Sequence, residues 1–294
     1  MSKSAPAYST GEWTSADGLT LRYRDYAGTA ARPPVLCIPG LTRNCRDFEP
    51  VAEAVAGEWR VICVDLRGRG QSDYARDSAT YQPLQYAADV LALLDHLHLP
   101  RVVAIGTSLG GIVIMLMALA SPERLAAVAL NDVGPEIEPA GLTRIRGYVG
   151  QGRSFPTWMH AARGLKEQSG AAYPDFQLAD WLRLAKRLMA VGPGGRIAFD
   201  YDMKIAEPFQ TADGTASAAD MWPAFRALAG RPLLTVRGEL SDILSAATLE
   251  RMRREVPELE AVTIARTGHA PTLEEPAAQD ALRRLLAKVE GAPA

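Results

Sequence analysis

Val102-Val103-Ala104-Ile105-Gly106-Thr107-Ser108-Leu109-Gly110-Gly111, followed by the apolar run Ile112 to Ala120, decides how this chain folds. The run Val102 to Ile105 reads as a short buried strand, and the run beyond the glycines reads as a buried helix. Between them a serine stands with a glycine two places to either side, which predicts a turn too tight for larger side chains. Such a turn holds the Ser108 hydroxyl out at the top of a sheet, where a substrate can reach it. Gly-x-Ser-x-Gly carries little information alone; the strand before it and the helix after it give it meaning.

Working outward, the same alternation of buried strand and amphipathic helix recurs. Pro34 to Ile38 and Arg60 to Val64 are short apolar strands on the N-terminal side. Gly11 to Thr14 and Leu19 to Tyr26 flank the turn dipeptide Asp17-Gly18, which predicts an opening antiparallel pair. The stretch through Ser9 carries no pattern and is expected to lack structure. Tyr86, Val90, Leu93, Leu94 and Leu97 form one helical stripe facing a core. Ala126 to Leu130, Leu233 to Val236 and Val262 to Ala265 complete the strand set, and a closing helix begins near Pro276. Strands without polar alternation, separated by amphipathic helices, imply a mostly parallel sheet covered on both faces. The expectation is an α/β fold with an eight-stranded sheet.

The rhythm breaks after the sixth strand. From Gly134 to Ala219 the segment reads as helical, aromatic and punctuated, with Tyr148, Phe155, Trp158, Tyr173, Phe176 and Trp181, and the polar stretch Thr211 to Ser217 leads back to the sheet. The expected organisation is a core over residues 10–133 and 220–294, with a mostly helical cap over 134–219.

Composition narrows the function classes. The chain has 294 residues, 48% of them hydrophobic, and a formal net charge of −2. Nothing in that balance suits nucleic acid or an anionic membrane, since Lys and Arg are dispersed and form no basic block. No segment approaches the length of apolar sequence needed to cross a bilayer, and the opening residues lack the apolar stretch of a signal peptide. The three cysteines, Cys37, Cys45 and Cys63, have no metal-ligand spacing and read as buried thiols. A cytoplasmic protein acting on a small molecule, with no metal or organic cofactor, is the expectation. Oligomeric state is not legible.

A serine hydroxyl needs a neighbouring base, and the base needs an orienting acid. Of the four histidines, His96 and His98 close a helix and His160 lies in the cap region. His269, in Thr267-Gly268-His269-Ala270-Pro271, follows the last strand on a loop from which it can reach Ser108. For the acid, Asp242 in Arg237-Gly238-Glu239-Leu240-Ser241-Asp242 is preferred; Asp132, at the end of the sixth strand, and Glu239 compete with it. All three keep the order nucleophile, acid, histidine. Backbone N–H groups of Leu41, after Ile38-Pro39-Gly40, and Leu109, after the serine, are the expected oxyanion donors. Arg43 and Asn44 follow the oxyanion turn and, with Trp158 from the cap, are candidate substrate contacts, the first two for an acidic or polar group.

With these residues assembled, the chain resembles the α/β-hydrolase superfamily over nearly its whole length, in the capped bacterial branch of carboxylesterases, enol-lactonases and C–C bond hydrolases. The resemblance rests on Pro39-Gly40-Leu41, Asp65-Leu66-Arg67-Gly68-Arg69-Gly70-Gln71-Ser72, Gly106 to Gly111, Gly238 to Asp242, and Gly268-His269. Many relatives carry His-Gly where this chain has Pro39-Gly40, and His and Met where it has Thr107 and Leu109. Ser108 stands where epoxide hydrolases and haloalkane dehalogenases carry aspartate, which argues against both. The resemblance implies hydrolysis of a small ester or lactone through an acyl-enzyme, with C–C bond hydrolysis and an idle small-molecule receptor as rivals.

Overall fold

The computed structural model describes residues 7–211 and 220–290. Residues 1–6, the polar stretch 212–217, the cap boundary at 219 and residues 291–294 lie outside that range. The first described elements are the antiparallel pair β1 (Tyr8–Thr14) and β2 (Thr20–Tyr26), so Tyr8 and Ser9, expected to lack structure, lie in a strand. There follow β3 (Val35–Ile38), α1 (Glu49–Val55), β4 (Val61–Asp65), α2 (Pro83–His96), β5 (Val102–Thr107), α3 (Leu109–Ala120) and β6 (Leu125–Asn131). After an inserted segment, β10 (Leu233–Gly238), α9 (Ala246–Glu255), β11 (Leu259–Ile264) and α10 (Pro276–Glu290) complete the layers.

These strands make one eight-stranded sheet in the order β1-β2-β4-β3-β5-β6-β10-β11. Pairing from β4 through β11 is parallel, and only β1 and β2 run against their neighbours. Both sheet faces are buried, which is why the strands read as unbroken apolar runs. Successive residues of β5 show the pleat: Val102 and Ala104 join the core under α2, α3 and α9, and Val103 and Ile105 join the core under α1 and α10. Cys37, Cys45 and Cys63 are buried free thiols within these layers.

The inserted segment lies between β6 and β10, which are neighbours in the sheet. It holds α4 (Pro139–Arg146), β7 (Ser154–Phe155), α5 (Trp158–Ser169), α6 (Leu178–Leu188), β8 (Met189–Val191), β9 (Ile197–Phe199), α7 (Ala206–Thr211) and, on the return to the sheet, α8 (Trp222–Arg226). The small antiparallel sheet β7-β9-β8 was not expected from the sequence, because its strands are too short to show a period. Much of the segment has its own apolar cluster, with Leu165, Tyr173, Trp181, Leu184 and Met189 at its centre. Among the described residues, no helix is long and apolar enough to cross a membrane.

Candidate active site

The strand–turn–helix stretch forms the sharp elbow its glycines imply. Ser108 sits between β5 and α3 with φ 53° and ψ −115°, a conformation that costs a non-glycine residue about 1–3 kcal/mol. The glycines are there for contact. A Cβ at Gly110 would lie 2.0 Å from the Ile38 carbonyl oxygen, and one at Gly106 would lie 2.4 Å from the Gly110 backbone. Close packing of β3, β5 and α3 therefore holds the strained serine in place.

His269, on the loop after β11, meets the serine. Its Nε2 lies 2.9 Å from Ser108 Oγ and its Nδ1 lies 2.8 Å from Asp132 Oδ2. With the proton on Nδ1, the ring donates to Asp132 and leaves Nε2 free to accept from the serine hydroxyl. Asp132 is fully buried at the end of β6, and the Gly238 N–H (2.8 Å) and Ser241 hydroxyl (2.7 Å) also donate to it. A hydroxyl, an imidazole and a carboxylate thus form one hydrogen-bonded chain at the ends of β5, β11 and β6, and the family pattern of the α/β hydrolase fold matches residues 33–276. This chain belongs to the α/β hydrolase family.

Several similar proteins are named as hydrolases. A 3-hydroxybutyrate-oligomer hydrolase of Cupriavidus necator is 35% identical over 257 residues, 85% of this chain and 87% of that one. A 2-(acetamidomethylene)succinate hydrolase of Mesorhizobium japonicum is 29% identical over 252 residues, 85% of each chain. A crystal structure of an α/β hydrolase from Novosphingobium aromaticivorans matches with a TM-score of 0.93 and 60% identity, covering 97% of this chain and 100% of that one.

The carboxylate beside the imidazole of this α/β hydrolase is Asp132, where the sequence reading preferred Asp242. Asp242 is taken by Arg144 of α4, whose Nε and Nη2 reach its two oxygens at 2.5 and 2.8 Å. Burial alone would raise the Asp242 carboxyl; the Arg144 guanidinium more than reverses this and holds it below the usual carboxylate range. Glu239, the third candidate, accepts the Arg266 N–H at the surface. Ser241 was the missed signal: its hydroxyl reaches back across the sheet edge to Asp132.

Three further ties fix the histidine loop. Asn131 Nδ2 donates to Thr107 Oγ1 (3.0 Å) and to the Pro271 carbonyl (2.8 Å), joining β5, β6 and the loop. From the inserted segment, the Tyr173 hydroxyl donates to the Ala270 carbonyl at 2.7 Å, and the Ala172 carbonyl accepts the Gly268 N–H at 2.6 Å. The Pro39–Leu41 turn is braced from the other side. Buried Arg69 donates from Nε to the Leu41 carbonyl at 2.9 Å and from Nη1 to the Tyr86 hydroxyl at 2.9 Å. Among the described residues, the Leu41 and Leu109 N–H groups donate to no protein acceptor. At Gly40 an added Cβ would lie 3.6 Å from Ser108 Cβ, so this turn passes directly over Ser108.

A cavity of about 60 Å³ opens onto Ser108 and His269, room for a few water molecules or a short acyl chain. Leu41, Arg43, Arg144, Tyr148 and Tyr173 form part of its wall, with apolar Ile145, Leu165, Leu184 and Leu188. Burial pushes the Tyr148 and Tyr173 hydroxyls above the ordinary phenol range despite the arginines beside them, so both stay protonated. Of the substrate contacts read from sequence, only Arg43 lines this cavity. Asn44 is fully buried: its Oδ1 accepts the Arg46 N–H, capping the short turn before α1, and its Nδ2 donates to the Arg187 carbonyl of α6. It is a bracket between core and inserted segment because both ends of its amide are used. Trp158 opens α5 and packs into the inserted segment's own cluster, away from Ser108. Among the described residues, no group of three or more His, Cys, Asp or Glu is disposed to hold a metal ion.

Proposed function

We propose that this chain is a serine hydrolase of small carboxylic esters or lactones, acting through an acyl-enzyme on Ser108. The observation that carries the reading is the bonding of His269 to Ser108 on one side and to buried Asp132 on the other. His269 takes the hydroxyl proton as Ser108 Oγ attacks the substrate carbonyl, and Asp132 stabilises the imidazolium that forms. The N–H groups of Leu41 and Leu109 receive the oxyanion, the second with the help of the α3 dipole. His269 next protonates the leaving alcohol, and water attacks the acyl-enzyme by the same route.

The relative named for hydrolysis of 3-hydroxybutyrate oligomers supports the choice of ester over C–C bond, since hydroxy-acid oligomers are held together by ester links. The test is a panel of esters of graded acyl length with simple lactones, run on wild type and Ser108→Ala. Turnover of short members by wild type, lowered by several orders of magnitude in the variant at unchanged thermal stability, is the expected result. A variant that keeps near-normal hydrolysis overturns the assignment.

A further inference from the structure

The fixed charge lining the cavity is of one sign. Arg43, from the loop after β3, and Arg144, from α4, both line it, and no Asp or Glu is among its lining residues. Their counter-charges stand behind them. Asp47 takes Arg43 Nη1 at 3.0 Å and Asp242 takes Arg144 in a two-point pair, yet neither carboxylate reaches the cavity wall. Tyr173 and Tyr148 line the cavity beside the two arginines. A guanidinium has five N–H donors. Asp47 leaves Arg43 with donors to spare, and Asp242 does the same for Arg144. Each fork is thereby aimed and partly desolvated before any ligand arrives, which is how arginine recognises a planar anion with little further ordering.

A neutral ester gives such a wall no partner. Two arginines lining a confined space beside Ser108 suit a carboxylate, which offers two oxygens to a guanidinium. Resting on the serine hydrolase reading, we propose that Arg43 and Arg144 bind the carboxylate of the substrate, so that the preferred substrates are esters of short acids carrying a second, free carboxylate. The carboxylate belongs to the acyl part or to the alcohol part, and the test separates these.

Two matched pairs of substrates decide it: 4-nitrophenyl hydrogen succinate against 4-nitrophenyl pentanoate, and 3-(butanoyloxy)propanoate against its methyl ester. In wild type, kcat/KM is expected to be at least tenfold higher for the charged member of one pair, which identifies the side bearing the carboxylate. In Arg43→Gln and Arg144→Gln that ratio is expected to fall to within about twofold of unity, mostly through KM, while Arg144→Lys retains part of it. Isothermal titration of Ser108→Ala with glutarate reads the same site without turnover, and an added Arg43→Gln change is expected to weaken binding at least tenfold. Equal or faster cleavage of the neutral member in both pairs overturns the proposal, as does glutarate binding that ignores both arginines. Failure of Ser108→Ala to abolish turnover would instead remove the serine mechanism and leave the glutarate result standing.

Discussion

Asp132 and Asp242 differ in what surrounds them. Asp132 is wholly buried and receives three donors, one of them the imidazole; Asp242 is a third exposed and belongs to Arg144. Asp132→Asn is therefore expected to lower kcat by about three to four orders of magnitude, the cost of losing the correct imidazole tautomer in a serine triad. Asp242→Asn is expected to lose less than about tenfold on a neutral ester and more on a carboxylate-bearing one, because it releases Arg144. Steady-state kinetics of the two variants side by side check this; equal loss in both would mean that the acids share the role. Sequence could not rank them. Each follows a strand end in the permitted chain order, and the deciding contact, Arg144 with Asp242, joins residues far apart in the chain. Ser108 and His269 were readable because a tight glycine turn and a loop after the last strand leave local marks.

Contacts between elements decide how firmly the histidine is held. Tyr173 belongs to the inserted segment, yet its hydroxyl donates to the Ala270 carbonyl next to His269. Tyr173→Phe removes that donor and leaves a buried carbonyl without a partner, at a cost of about 1–3 kcal/mol. Part of that cost falls on the placement of the imidazole, so kcat is expected to drop by about tenfold. A kcat within twofold of wild type, in a variant whose melting temperature has fallen, would make the contact purely structural. The sheet layers were legible because each buried strand is an unbroken apolar run and each amphipathic helix carries its own period. The β7-β9-β8 sheet and the Asn44 and Arg46 brackets onto α6 were not, for their partners are distant and their strands are two or three residues long.

At the scale of the molecule, one buried cation ties the opening hairpin to the main layers. Arg67 is fully buried in the loop after β4. It bonds Asp89 of α2 through Nε and Nη2 at 2.7 Å each, and Asp17 of the β1–β2 turn through Nη1 and Nη2 at 2.8 and 2.9 Å. Removing one member of such a cluster strands the others, so Arg67→Met is expected to cost about 3–5 kcal/mol, a large share of the stability of a typical domain. Arg67 also gives the fold an acid limb. Its hydrogen bonds hold the Asp17 carboxyl down to about 2, below its ordinary 3.8. A carboxylate whose value is lower folded than unfolded stabilises the fold above the unfolded value and loses that contribution as pH falls toward the folded one. The urea midpoint should therefore decline between about pH 4 and 2, with a modest contribution from Asp17 because its side chain is 44% exposed and screened by water. Asp17→Asn should lower the midpoint at neutral pH and flatten the decline below pH 4, whereas an unchanged slope would locate the acid sensitivity elsewhere in the sheet layers.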